Sequence, residues 1–256
     1  MFRYVPPGLG EGRPVVVALH GCTQSAAAYD DEPGWVALAQ QAGFSLVLPQ
    51  QQSANNASKC FNWFEQADTA RGSGEALSIK QMADRMVSDL GSDAERVFVT
   101  GLSAGGSMAA VMLVTYPEVF AGGAVVAGLP YRCATSLAQA FGCQNPGADL
   151  SPRQWGDKVR AGAGSAGRWP KVSIGHGTAD YTVAYRNLTE LMEQWTDRSW
   201  RGSRPVWRPR AVHPRCEPLC GRPHRTLLGH RLAARATSLG VRVEVRAARC
   251  RWRGLA

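Results

Sequence analysis

Arg96-Val-Phe-Val-Thr-Gly101-Leu-Ser103-Ala-Gly105-Gly-Ser-Met-Ala-Ala110 is the stretch whose reading decides the fold. Val97, Phe98 and Val99 are β-branched or aromatic and read as a short, fully buried strand. Gly101-Leu-Ser103-Ala-Gly105 fits G-x-S-x-G, a nucleophile elbow in which a serine sits on a sharp turn from strand to helix. Both glycines are needed there, because a Cβ would clash where the chain doubles back. Residues 104–116 follow as a helix opening on small residues, able to pack closely under the strand. Its N-terminus aims free N–H groups at the place where an oxyanion forms. The pattern alone is weak in a chain with 28 glycines; the strand–turn–helix setting is what gives it chemical meaning. The competing reading of Ser103 is a turn serine with a structural task only.

Upstream, Arg13-Pro-Val-Val-Val-Ala-Leu-His20 reads as a buried strand ending in His20-Gly21-Cys22-Thr23. A strand-to-helix loop at this point supplies the second oxyanion donor from a backbone N–H. His20 reads as a structural hydrogen-bonding residue and not as a base. Trp35, Leu38, Ala39 and Ala42 fall at helical spacing, Gly43 stops that helix, and residues 44–49 form the next strand. Residues 50–74 make a long loop holding the aromatic run Cys60-Phe-Asn-Trp63-Phe64. Two readings stand for it, packing of the loop itself and a wall of the substrate cleft. Residues 75–90 are amphipathic, with Leu77, Ile79, Met82, Ala83, Met86 and Leu90 on one stripe, which is core.

Downstream, residues 120–128 read as a strand. Lys171-Val-Ser-Ile-Gly-His-Gly-Thr-Ala-Asp180 reads as a strand and a turn that delivers a carboxylate. Ser, then Asp, then His is the chain order of an α/β-hydrolase triad. Asp180 would accept a histidine Nδ1–H and favour the imidazolium formed when Ser103 gives up its proton. The alternative is an Asp that caps a helix over residues 183–195. His176, ahead of the Asp at the corner, reads as structural.

His20-Gly-Cys-Thr-Gln24, Cys60-Phe-Asn-Trp63, Gly101-Leu-Ser-Ala-Gly105, Gly128-Leu-Pro-Tyr131, Trp155-Gly-Asp-Lys158 and His176-Gly-Thr-Ala-Asp180 together resemble the poly(3-hydroxybutyrate) depolymerase family of esterases. These are secreted α/β-hydrolases that include feruloyl- and acetylxylan-type esterases, and the resemblance covers roughly residues 12–197. It implies a mostly parallel sheet flanked by helices, with Ser103 as nucleophile, Asp180 as acid, and backbone N–H groups near Cys22 and Ala104 as oxyanion hole. The cleft-wall reading of the aromatic run gives Trp63 as the cleft residue, beside the packing reading. The resemblance suggests the disulfides Cys22–Cys60 and Cys133–Cys143, which suit an oxidising, extracellular setting. The partner is an ester substrate, either a hydroxyacid polyester or an acylated polysaccharide. No metal or organic cofactor is implied.

The resemblance stops near Asp197. Residues 198–256 hold 15 of the 29 basic residues, all arginine, against Glu217 and Glu244, a net of +13 beside −4 for 1–197. The chain thus divides into an esterase domain, 1–197, and an Arg-rich tail, 198–256, expected to be poorly ordered. Arginine, proline, glycine, cysteine and tryptophan rise together there, as in an out-of-frame reading of a GC-rich gene. A frameshift near codons 197–201 is therefore expected, with the sheet losing its last strand or strands and the family's Gly-His turn. His213, His224 and His230 remain as candidate bases, and Gly229-His230 has the local form of that turn. Seven cysteines leave at least one without a partner in the chain. Cys216 and Cys220 beside His224 and His230 would form a zinc site, but the arginines and prolines among them argue against a preformed one. A basic tail binding nucleic acid or an anionic surface is the rival from another class, though the tail lacks any recognition motif. Transfer of the acyl group to an alcohol is a third reading that the residues do not separate from hydrolysis. No apolar run reaches membrane-spanning length, and Met1-Phe-Arg-Tyr-Val lacks the pattern of a signal peptide.

Overall fold

The computed structural model describes residues 1–31, 33–164, 168–197 and 243–248. Along the chain run β1 (Phe2–Tyr4), β2 (Val15–Leu19), α1 (Ala26–Asp31), α2 (Trp35–Ala42), β3 (Ser45–Leu48), α3 (Gln66–Thr69), α4 (Gly74–Leu90) and β4 (Val97–Leu102). There follow α5 (Ala104–Thr115), β5 (Gly122–Val126), α6 (Leu137–Gln144), α7 (Pro152–Gly162), β6 (Lys171–Gly177), α8 (Arg186–Thr196) and β7 (Val243–Ala248). The strands form one sheet in the order β1-β3-β2-β4-β5-β6-β7. β1 lies antiparallel on β3, and every other pairing is parallel. This is the α/β-hydrolase sheet that the elbow led us to expect.

Parallel strands are covered on both faces, so their sequences are near-continuous apolar runs instead of alternations. Val-Val-Val-Ala-Leu in β2 shows the consequence. Val15, Val17 and Leu19 point into the core shared with α4 and α5, while Ala18 joins Leu46, Leu48, Tyr29 and Ala39 on the α1–α2 side. On α4, Ala76, Ile79, Ala83 and Met86 are the buried stripe, with Met82 and Leu90 at its margin. Gly91, left-handed at φ 56°, ends that helix by donating its N–H to the Val87 carbonyl. α5 has no solvent face, since each of its residues from Ala104 to Thr115 is buried. A helix apolar on all sides belongs in the middle of a large core, and α5 sits there beneath β2, β4 and β5.

Two expectations need correction. The sheet does not end at β6: Val243–Ala248 pairs with it in parallel, in register from Val172↔Val243 to Gly177↔Ala248. Val243-Glu-Val-Arg-Ala alternates with the period of a strand, a signal lost among the surrounding arginines. The helix expected from residue 183 starts instead at Arg186. Asp180 accepts the Thr182 and Val183 N–H groups, both at 2.9 Å, and holds those residues in a turn.

Candidate active site

Ser103 stands between the end of β4 and the first turn of α5 with φ 55° and ψ −119°. A positive φ on a residue with a Cβ costs on the order of 1–3 kcal/mol and persists only where the surroundings over-determine it. Here they do. The Ser103 N–H donates to the Val126 carbonyl at 2.9 Å, while its own carbonyl accepts the Ser107 N–H at 2.9 Å and hydroxyl at 3.1 Å. The elbow glycines are required for contact: a Cβ on Gly101 would overlap the Gly105 carbonyl, and one on Gly105 the carbonyls of Leu19 and His20. The helix start is thus pressed against the end of β2, which brings the turn after β2 to Ser103.

Ala104 is the first residue of α5, so its N–H has no partner within the helix. On the other side, a Cβ placed on Gly21 would lie 3.6 Å from Ser103 Cβ. The turn after β2 therefore passes directly beside the nucleophile. The Gly21 N–H is committed to Gln24 Oε1 at 2.7 Å, and the next N–H along the turn belongs to Cys22. The start of α5 and the turn after β2 thus both lie beside Ser103.

His20 is fully buried. Its Nδ1 lies 2.7 Å from the Gly21 carbonyl and its Nε2 3.2 Å from the Gln51 backbone nitrogen. The neutral tautomer protonated at Nδ1 satisfies both, donating to the carbonyl and accepting from the amide. Burial pushes its pKa below the ordinary value; the bond to Gly21 opposes this and nearby Lys59 adds to it. The ring is a clasp between the turn after β2 and the loop after β3, with both its nitrogens engaged.

That loop is tied down twice more. The Cys22–Cys60 disulfide is formed, as is Cys133–Cys143, and the Thr23 N–H donates to the Ser58 carbonyl at 2.7 Å. Phe61, Trp63 and Phe64 join the main core, with Trp63 only 6% exposed and edge-on to Phe64 at 5.4 Å. The aromatic run packs its own loop and leaves a narrow rim of Trp63 to solvent.

Asp180 follows β6 as Ser103 follows β4, so both stand at the carboxyl end of the parallel sheet, where such sheets bind ligands. β5 lies between them, a separation of about 10 Å at two strand spacings. Asp180 Oδ1 is taken by the turn it caps, and Oδ2 lies 3.5 Å from His176 Nε2. His176 is buried, its Nε2–H donates to the Val183 carbonyl at 2.9 Å, and its ring meets Tyr185 edge-on. It braces the Asp180 turn. Among the described residues, His20 and His176 are the histidines; His213, His224 and His230 lie outside them, as do Cys216, Cys220 and Cys250.

Gln24 and Gln51 were not foreseen as site residues. The run Pro49-Gln-Gln-Gln52 at the end of β3 was the available signal, amides where a sheet ends being disposed to hold loops.

The family model for Esterase PHB depolymerase matches residues 1–199. Poly(3-hydroxyalkanoate) depolymerase C of Paucimonas lemoignei is 57% identical over 198 residues, which are 77% of this chain and 48% of that protein. An acetylxylan esterase of Coprinopsis cinerea is 36% identical over 203 residues, covering 77% and 54%. The chain spans about half the length of these curated relatives. Among solved structures, acetyl xylan esterase from Aspergillus awamori superposes with a TM-score of 0.71 at 31% identity, over 76% of this chain and 73% of that one.

Proposed function

Since the chain belongs to the PHB depolymerase family of esterases, we propose that it hydrolyses carboxylic esters through an acyl-enzyme on Ser103. The observation that carries this is the elbow: a strained serine between β4 and α5, with the turn after β2 beside it. Ser103 Oγ attacks the ester carbonyl and passes its proton to an imidazole, and the Cys22 and Ala104 N–H groups hold the oxyanion. Collapse expels the alcohol with that proton. Water then attacks the acyl-serine by the same route and releases the acid. Asp180 orients and stabilises the imidazolium.

We assign the imidazole to His230 on the strength of the Gly229-His230 pair in the sequence. The substrate class we favour is a short hydroxyacid polyester, because the depolymerase named above is more similar than the acetylxylan esterase. Two formed disulfides support an extracellular, oxidising setting. Esterase domain and basic segment divide near residue 197, with β7 returning from the second to the sheet of the first. Binding of nucleic acid through the tail is not favoured.

Turnover of p-nitrophenyl butyrate by the whole chain tests the reading. Ser103→Ala should remove the activity, with only about 10³–10⁴ over water surviving the loss of a triad member. His230→Ala should fall to the same level. Activity equal in the chain and in Ser103→Ala refutes the nucleophile; loss in Ser103→Ala alone refutes the His230 assignment.

A further inference from the structure

Beside the loop after β3 lies a cavity of about 450 Å³ whose walls include Gln51, Asn55, Asn62, Asp68 and Glu75. Amides and carboxyls around a hollow suggest a polar ligand, but these groups saturate one another. Gln51 Oε1 accepts from the Gln52 N–H at 2.8 Å and from Asn55 Nδ2 at 3.3 Å. Its Nε2 donates to the Cys60 carbonyl at 3.1 Å and to Glu75 Oε1. Glu75 Oε2 accepts the Asn62 N–H at 2.8 Å, and Asn62 Nδ2 donates to Asp68 Oδ2 at 3.0 Å. What the network does is hold chain segments together.

Gln51, only 4% exposed, is the hub. Its backbone N–H donates to His20, whose other nitrogen donates to the Gly21 carbonyl. Its side chain fixes the Cys60 carbonyl, and Cys60 is bonded through sulfur to Cys22. Two routes thus run from Gln51 to the two residues of the oxyanion turn. Gln51 is oriented in turn by Glu75, on the first turn of α4, a helix packed into the core.

We propose that Glu75 is a positioning residue of the esterase: by fixing Gln51 and Asn62 it sets where the oxyanion turn at Gly21 and Cys22 stands against Ser103. The inference rests on the esterase reading. Only a carboxylate suits the place, because both its oxygens meet donors; an amide would turn its NH₂ toward one of them. Burial pushes the carboxyl up to about 7 and Asp68 adds to the shift, while the bonds from Asn62 and Gln51 oppose it. A group serving only to fill space would carry no such penalty.

The oxyanion exists only in the transition state, so misplacing its donor lowers kcat and not substrate affinity. In the whole chain, Glu75→Ala should lower kcat about tenfold, a fraction of the loss from deleting a donor, with KM within about twofold. Glu75→Gln, keeping one acceptor of two, should fall between. Gln51→Ala should match Glu75→Ala, and the double variant should lose no more than either. Wild-type kcat in folded Glu75→Ala, or a loss carried by KM alone, overturns the proposal. Should Glu75→Ala not fold, wild-type kcat in Glu75→Gln overturns it instead. A chain no more active than its Ser103→Ala variant sinks the esterase reading, and amide exchange then decides the positioning. Faster exchange at Cys22 and Cys60 in Glu75→Gln upholds it; unchanged exchange overturns it.

Discussion

Glu75 makes stability depend on pH with a definite sign. Its carboxyl binds a proton more tightly in the fold, at about 7, than at the ordinary value of 4.5. Its contribution is therefore fully present below pH 4.5 and is lost as pH rises through about 7. The loss is at most about 3 kcal/mol, and less to the extent that solvent reaches the group. The gap in Tm between Glu75→Gln and the wild-type chain should widen in favour of the variant between about pH 5 and pH 8; a constant gap would exclude the buried titration. His20 works the other way. Its depressed value means a contribution present above 6.5 and lost as pH falls through the folded value. Neither effect was legible in the sequence. Burial is the largest cause of both shifts, and only folding brings together the chain segments that bury these two groups. Ser103 was legible because the sterics that identify it, two glycines within two residues of the serine, are local.

At the scale of elements, the Cys22–Cys60 crosslink joins the turn after β2 to the loop before α3 across 38 residues. Closing a loop of that size removes chain entropy from the unfolded state worth about 4 kcal/mol, or less where strain intervenes. Cys22→Ser with Cys60→Ser should lower unfolding stability by about that amount, measured as a shift of the urea midpoint; an unmoved midpoint would mean the hydrogen bonds of Gln51 hold the turn alone. Elements with strong internal periodicity were readable: α4 from its apolar stripe, β2 and β4 from runs too apolar for a half-exposed strand. Those defined by distant contacts were not. α8 starts at Arg186, beyond the turn whose Thr182 and Val183 amides the Asp180 side chain holds. β7 was obscured because a strand of six residues in an arginine-rich context announces itself only through its neighbour.

Among the described residues the strands form one sheet whose last pairing is β6 with β7. A chain ending at Asp197 would present β6 as a row of unpaired N–H and C=O groups, a template for association. Light scattering should find larger assemblies for that truncation than for the full chain at equal concentration; equal masses would mean that β7 does not shield the edge. The centre of the sheet is local in sequence. β4, α5 and β5 occupy residues 97–126 without interruption, so their contacts close short loops and cost little entropy to form. We expect this unit to be structured in the folding transition state: Val111→Ala should slow refolding, while Leu191→Ala in α8 should chiefly hasten unfolding. Equal effects on both rates would refute that order. During synthesis, the turn that bears Ser103 would then take shape on the ribosome while the codon for Asp180 is still waiting to be read.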